Sequence, residues 1–97
     1  MKNQRLMKTD EMNGATIYAA AYEILKSKAA CSEMESASSA YAKAILDAGR
    51  IQKMFSLSED AFFTVVATID SLEDLLGAGK VTPLNVMSMW EDYQEMQ

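Results

Sequence analysis

The acidic side chains of the second half are the residues whose types and spacing come nearest to a chemical site. Asp70, Glu73 and Asp74 lie three or four residues apart, so a helix would place them at neighbouring positions on its surface. Grouped carboxylates can bind a metal ion, but this stretch lacks the alternating oxygen ligands and the central glycine of a calcium loop. The chain also has no histidine, which a helical di-metal site would need. We therefore expect these acids to meet a basic protein surface rather than a metal.

The other groups that can do chemistry also lack partners in the sequence. Cys31 is the single cysteine, so an internal disulfide is excluded, and no histidine is present to activate its thiol. The segment Gly77 to Lys80 has the glycines and the lysine of a phosphate-binding loop, but their spacing differs and Val81 stands where Ser or Thr is required. A helix stop explains these glycines better. We predict no enzymatic activity, no cofactor and no metal.

The charge of the chain divides sharply at Lys53. Residues 1–53 hold eight Lys and Arg against six Asp and Glu, whereas residues 54–97 hold Lys80 alone against eight acids. Several of these acids fall near the ends of expected helices, where the negative end of the helix dipole disfavours them. The excess of acids also argues against contact with a phosphate backbone over most of the surface. A compensating cation is expected, in this chain, in a second copy or in a partner.

One aromatic residue lies beside these acids instead of in the expected core. On a helical wheel Phe63 falls outside the apolar stripe and between Asp70 and Asp74, which is a pattern typical of interface anchors ringed by charge. The last segment has an apolar arc that is wider than one packing face needs. The predicted partner-binding residues are Phe63, Asp70, Glu73, Asp74, Met87, Trp90, Glu91, Asp92 and Glu95. They predict a non-catalytic protein-binding module, such as a small cytoplasmic adaptor, chaperone or inhibitor of bacterial or phage type.

Simpler and rival interpretations stay open at this stage. The acids can be a solvated face that keeps the protein soluble, another helix can cover Phe63, and the methionines can fill the core. A DNA-binding regulator would use Lys43, Arg50 and Lys53, although direct nucleic-acid binding is not favoured. Conversely, the acidic surface can imitate a phosphate backbone and inhibit a protein that binds DNA or RNA. A homodimer or larger homo-oligomer would bury the apolar arc around Trp90.

Four helical segments must position these residues, which predicts an all-α fold, a small bundle of four helices. Capping signals and apolar periodicity place the helices at residues 14–30, 33–55, 59–76 and 83–96. Asn13, Ser58 and Thr82 are the expected N-caps of the first, third and fourth helices, with Thr9 a rival for the first. Pro83 favours the first helical position of the fourth. Gly77 is the expected stop of the third.

The second helix is predicted to begin with a capping box. The sequence from Ser32 to Glu35 has the required Ser-x-x-Glu form. One apolar stripe then runs along the helix, and much of it is alanine, which permits close approach of a neighbouring helix. Its members are Met34, Ala37, Tyr41, Ala44, Ala48, Ile51 and Phe55. A continuous first and second helix is an alternative, and a strand is the competitor over residues 62–69.

Length and composition favour one small globular domain spanning residues 1–97. Hydrophobic residues make up 49% of the chain and charged residues 24%, which is ordinary for a folded protein. Residues 1–9 are expected to be flexible. Acids follow the basic start where a signal peptide needs an apolar run, and no stretch is apolar enough to span a bilayer. We therefore expect a cytoplasmic protein without a membrane segment.

Overall fold

The computed structural model describes residues 6–77 and 79–95, except for the side chain of Tyr93, and within these ranges the chain is all-α. Its four α-helices are α1 (Gly14–Ser32), α2 (Ala37–Phe55), α3 (Glu59–Leu76) and α4 (Pro83–Glu95), and a 3₁₀ turn at Thr9–Glu11 precedes them. The predicted all-α bundle of four helices is therefore confirmed. The predicted last residue of the fourth helix, 96, lies outside the described residues.

Side-chain caps begin the helices at three of the predicted places. The Asn13 Oδ1 accepts a hydrogen bond from the Thr16 amide at 2.8 Å, and the Ser58 Oγ accepts one from the Ala61 amide at 3.1 Å. Thr82 caps α4 through the Asn85 amide at 3.2 Å. Each oxygen satisfies an amide that has no partner within its own helix. Thr9, the rival start for α1, begins the 3₁₀ turn instead.

The connection between α1 and α2 differs from the prediction. Residues 33–36 are not helical, so α1 and α2 are separate helices, and α1 extends to Ser32, two residues beyond its predicted end. The predicted capping box at Ser32 is wrong: its hydroxyl donates to the Ala29 carbonyl in the last turn of α1 at 2.7 Å. Ser36 caps α2 in its place, by accepting from the Ser39 amide at 3.1 Å. The helix therefore starts at Ala37 instead of residue 33.

Helix α1 is the central element, because α2, α3 and α4 all make their main helix contacts with it. The main core joins α1, α3 and α4 with the connecting segments, and α2 supplies none of its fully buried members. The buried core residues are Ala20, Ala21, Leu25, Leu57, Ala61, Val65, Ile69, Val81 and Val86. The molecule is flat, with extents of 42 × 39 × 18 Å. A molecule this thin leaves much apolar surface uncovered.

Buried residues in and beside the connecting segments complete the core. Leu57, between α2 and α3, is fully buried, and Val81 and Val86 are buried on either side of the Thr82 cap, as expected for a hydrophobic staple. Met7 lies beside Leu57: its amide donates to the Ser56 carbonyl, and its carbonyl accepts from the Ser58 amide. Residues 1–5 of the segment predicted to be flexible lie outside the described residues.

Candidate protein-interaction surface

Phe63 lies on the surface of α3, as its position on the helical wheel predicts. Its side chain is 63% exposed, although it is a large apolar residue. The neighbouring Phe62 is half-buried, and the two rings meet edge to face with centroids 6.1 Å apart. Asp70 and Asp74 are exposed on the same side of α3, and neither forms an ion pair within the described residues. An exposed aromatic ring therefore lies beside unpaired carboxylates.

Glu73 has a different environment from its two acidic neighbours. The Lys28 Nζ on α1 lies 2.9 Å from the Glu73 Oε1, and the glutamate side chain is largely covered. A cation of this chain therefore compensates one of the three acids at the end of α3. The pair also ties α3 to the central helix, so the free carboxylates of this cluster are those of Asp70 and Asp74.

The predicted residues of α4 divide between packing and exposure. Trp90 is half-buried and lies against the Tyr18 ring of α1, with centroids 5.3 Å apart, so it helps to hold α4 in place. Met87 is exposed. Glu91, Asp92 and Glu95 are also exposed and form no ion pair with any other described residue. The acidic face of α4 is therefore directed to solvent, while its tryptophan packs on α1.

Three basic residues of α1 and α2 form ion pairs with acids of the same two helices. Asp47 on α2 is the centre of this network: its carboxylate accepts a hydrogen bond from the Ser27 hydroxyl at 2.6 Å and lies 3.0 Å from the Lys43 Nζ. The Arg50 Nε lies 3.8 Å from the same carboxylate, and its Nη1 lies 3.7 Å from Glu23 of α1. The Ser27 hydrogen bond, and then Lys43, hold the pKa of Asp47 below its ordinary value.

This network bears on the rival DNA-binding interpretation. Lys43 and Arg50 were two of the three residues assigned to phosphate contact, and both lie in ion pairs with Asp47. To bind DNA, these cations would have to give up a carboxylate for a phosphate, which reduces the favourable free energy of binding. Lys53 alone of the three has no ion pair within residues 6–77 and 79–95. The geometry therefore does not favour a basic nucleic-acid surface on α2.

Helix α2 leaves most of its predicted packing stripe uncovered. Ile51 is its single fully buried residue, whereas Tyr41, a member of the same stripe, is 71% exposed. Ile45 and Leu46, outside that stripe, are 55% and 74% exposed. Sequence reasoning did not include these residues in the candidate surface. The signal was present, because apolar residues on α2 cover more of its circumference than one packing face requires.

An apolar groove lies between α2 and α3 and is floored by α1. Its volume is about 230 Å³, and its lining residues are Ile24, Ser27, Lys28, Cys31, Ala44, Ala48, Ile51 and Phe62. The alanines of α2 open this space, because a larger side chain at either position would fill it. The break after Ser32 matters here, since the extended α1 carries Cys31 along the floor of the groove.

The described part of the chain contains neither a cluster of metal-binding side chains nor a membrane-spanning helix. No group of three or more Cys, Asp and Glu side chains there is placed to hold a metal ion. None of the described helices is both long enough and apolar enough to cross a membrane. Comparison with protein-family models, with characterised proteins and with solved structures found no match to this chain.

Proposed function

We propose that this chain is a non-catalytic protein-binding module, a small cytoplasmic adaptor, chaperone or inhibitor whose partner presents a basic surface. The observation that carries the proposal is the exposure of Phe63 beside the unpaired carboxylates of Asp70 and Asp74. Aromatic anchors with charged rims are the usual composition of protein interfaces. Met87 and the acids of α4 form a second exposed surface of similar composition.

A nucleic-acid mimic is less well supported than a protein-binding surface of mixed character. A surface that imitates phosphates needs acids without large apolar side chains between them. On α3 the acids lie beside Phe63, and on α4 they accompany Leu84 and Met87; these three apolar side chains are exposed. This mixture suits a partner that buries apolar area and also supplies cations.

Affinity capture from the native host with matched variants tests the proposal. Phe63→Ala removes the exposed ring, and Leu75→Ala is the control, because Leu75 is 81% exposed on another side of the same helix. We expect Phe63→Ala to lose the retained partner and Leu75→Ala to keep it, while both keep the wild-type melting temperature. Retention of the same partner by both variants, at equal strength, would contradict the assignment of Phe63.

A further inference from the structure

The groove between α2 and α3 has the size of a side-chain pocket. At about 230 Å³ it is smaller than the roughly 300–1,000 Å³ typical of small-molecule sites. Its walls are mainly apolar, and Ile51 forms its buried part. Such a pocket fits one or two apolar side chains from another protein better than it fits a whole ligand.

Apolar surface continues from the groove onto both of its edges. On α2, Tyr41 lies one turn before the lining residue Ala44 in the same stripe, and Ile45 borders that stripe, about 60° around the helix from Ala48. Both side chains are more than half exposed. On α3, the exposed Phe63 touches Phe62, which lines the groove. The apolar strip is therefore longer than the pocket alone. An amphipathic helix, whose side chains at every third or fourth residue share one face, matches a strip of this kind.

The two edges differ in charge. The edge along α3 carries Glu59, Asp70 and Asp74, which are exposed and form no ion pair among the described residues. The cations near the groove are already paired with acids of this chain. Lys28, which lines the groove, pairs with Glu73, and Lys43 and Arg50 pair with Asp47, beside the lining residue Ser27. An occupant therefore binds most favourably if it places lysine or arginine along α3 and apolar side chains in the groove.

A second copy of this chain is a poorer occupant than a foreign helix. Its formal charge is −5, so two copies repel at long range. Its basic side chains on α1 and α2 are mostly paired with acids of the same chain, as Lys28 is with Glu73. Among the described residues, three cations without an ion pair, Lys8, Lys53 and Lys80, remain to pair with the α3 edge of another copy.

We infer that the groove binds a basic amphipathic helix of a partner protein, with the apolar face of that helix against Ile51 and Phe62 and its lysine or arginine side chains along α3. The inference rests on the proposed protein-binding function and names the chemistry of the partner. It enlarges the contact surface from Phe63 and its acids to include Tyr41 and Ile45 of α2.

A pair of synthetic peptides tests the inference directly. Both are about 18 residues long, to allow partial helix formation, and carry leucines on one helical face, with lysines elsewhere in one peptide and glutamates in the other. Cys31 is the reporter, because it is the single cysteine and lines the groove, so an occupied groove slows its reaction with a thiol reagent. We expect the lysine peptide to protect Cys31, at least about tenfold better than the glutamate peptide, and salt to weaken this protection.

Two matched variants locate the binding. Ile45→Ala is expected to weaken binding of the lysine peptide about tenfold. Leu46→Ala, a change at a still more exposed residue on the side of α2 away from the groove, is expected to leave that binding unchanged. Two results would overturn the groove assignment. One is that adding the lysine peptide changes the NMR chemical shifts of backbone amides in α4 alone, and the other is that the two variants have equal effects. Slower Cys31 reaction at higher protein concentration without peptide would identify a second copy as the occupant and overturn the inference.

The groove and the wider function can fail separately. If neither peptide protects Cys31 at about 1 mM while host capture still depends on Phe63, the inference is wrong and the proposed function stands. If the lysine peptide protects Cys31 while Phe63→Ala still captures the same partner, the groove is supported and the assignment of Phe63 is wrong.

Discussion

Each of the two isoleucines of α2 can be replaced by alanine in a separate variant. Comparing the two variants tests whether packing of Ile51 stabilises this helix while Ile45 contributes little. Ile51 is 1% exposed and Ile45 is 55% exposed, and they lie six residues apart on different faces of the same helix. Both changes remove the same atoms, and both improve helix propensity by a few tenths of a kcal/mol. Any difference in stability between the variants therefore measures packing.

The expected difference follows from burial. Ile51→Ala removes three buried carbons, each contributing about 0.8 kcal/mol, so the transfer loss is about 2.4 kcal/mol. The added cavity penalty is small, because Ile51 borders an open groove that solvent or neighbouring side chains can enter. After the propensity gain, the free energy of unfolding falls by about 2 kcal/mol. Ile45 is less than half buried, so its variant loses only about 0.5 kcal/mol.

Urea unfolding followed by circular dichroism measures both values. With a slope of about 1.5 kcal/mol per molar urea, Ile51→Ala shifts the midpoint down by about 1.3 M and Ile45→Ala by about 0.3 M. A biphasic curve for Ile51→Ala would mean that α2 separates before the rest unfolds, which is consistent with its single buried residue. Equal losses for the two variants, or a loss below about 1 kcal/mol for Ile51→Ala, would refute the description of α2 as held chiefly by Ile51.

Two further predictions concern the start of α2 and its polar contact with α1. Ser36→Ala should lower the free energy of unfolding by about 1 kcal/mol, because it removes the N-cap, whereas Ser32→Ala should change it by less than about 0.5 kcal/mol; a larger loss from Ser32→Ala in urea unfolding would restore the capping box. Ser27→Ala should raise the pKa of Asp47 toward its ordinary value of 3.8, as followed by a carboxyl NMR titration. Since the folded pKa of Asp47 is lowered, its contribution to stability is present above pH 3.8 and is lost as pH falls through the folded pKa, so the variant and wild type should converge in acid. An unchanged titration would show that the Ser27 hydrogen bond does not lower this pKa.

Local signals predicted the beginnings of three helices correctly. The caps at Asn13, Ser58 and Thr82 each bond an amide three residues ahead, so the cause of the helix start lies within one turn of sequence. The start of α2 was predicted wrongly because two serines offer equivalent caps. Ser32 and Ser36 both offer a capping oxygen, and no residue between them forces a break, so local chemistry alone does not choose between them.

The candidate surface was only partly predictable. The wheel position of Phe63 marked it as outside the core stripe, and the structure leaves it exposed. Tyr41 was predicted to pack, but it is exposed. Helix α1 contacts three other helices and covers α2 chiefly near Ile51. Periodicity identifies an apolar face, but how much of that face a neighbour covers depends on the angle and position of the neighbouring helix.

The sequence by itself determined the helical elements and the excess of acids in the second half, because capping, periodicity and charge balance act over a few residues or over the whole composition. Only the tertiary structure decided which acids find a cation. Packing brings Lys28 to Glu73 across 45 residues of sequence and Arg50 of α2 to Glu23 of α1, while Asp70 and Asp74 stay unpaired among the described residues. Ion pairing acts over a few ångströms, so the way the helices pack, and not their order in the chain, separates the compensated acids from those left for a partner.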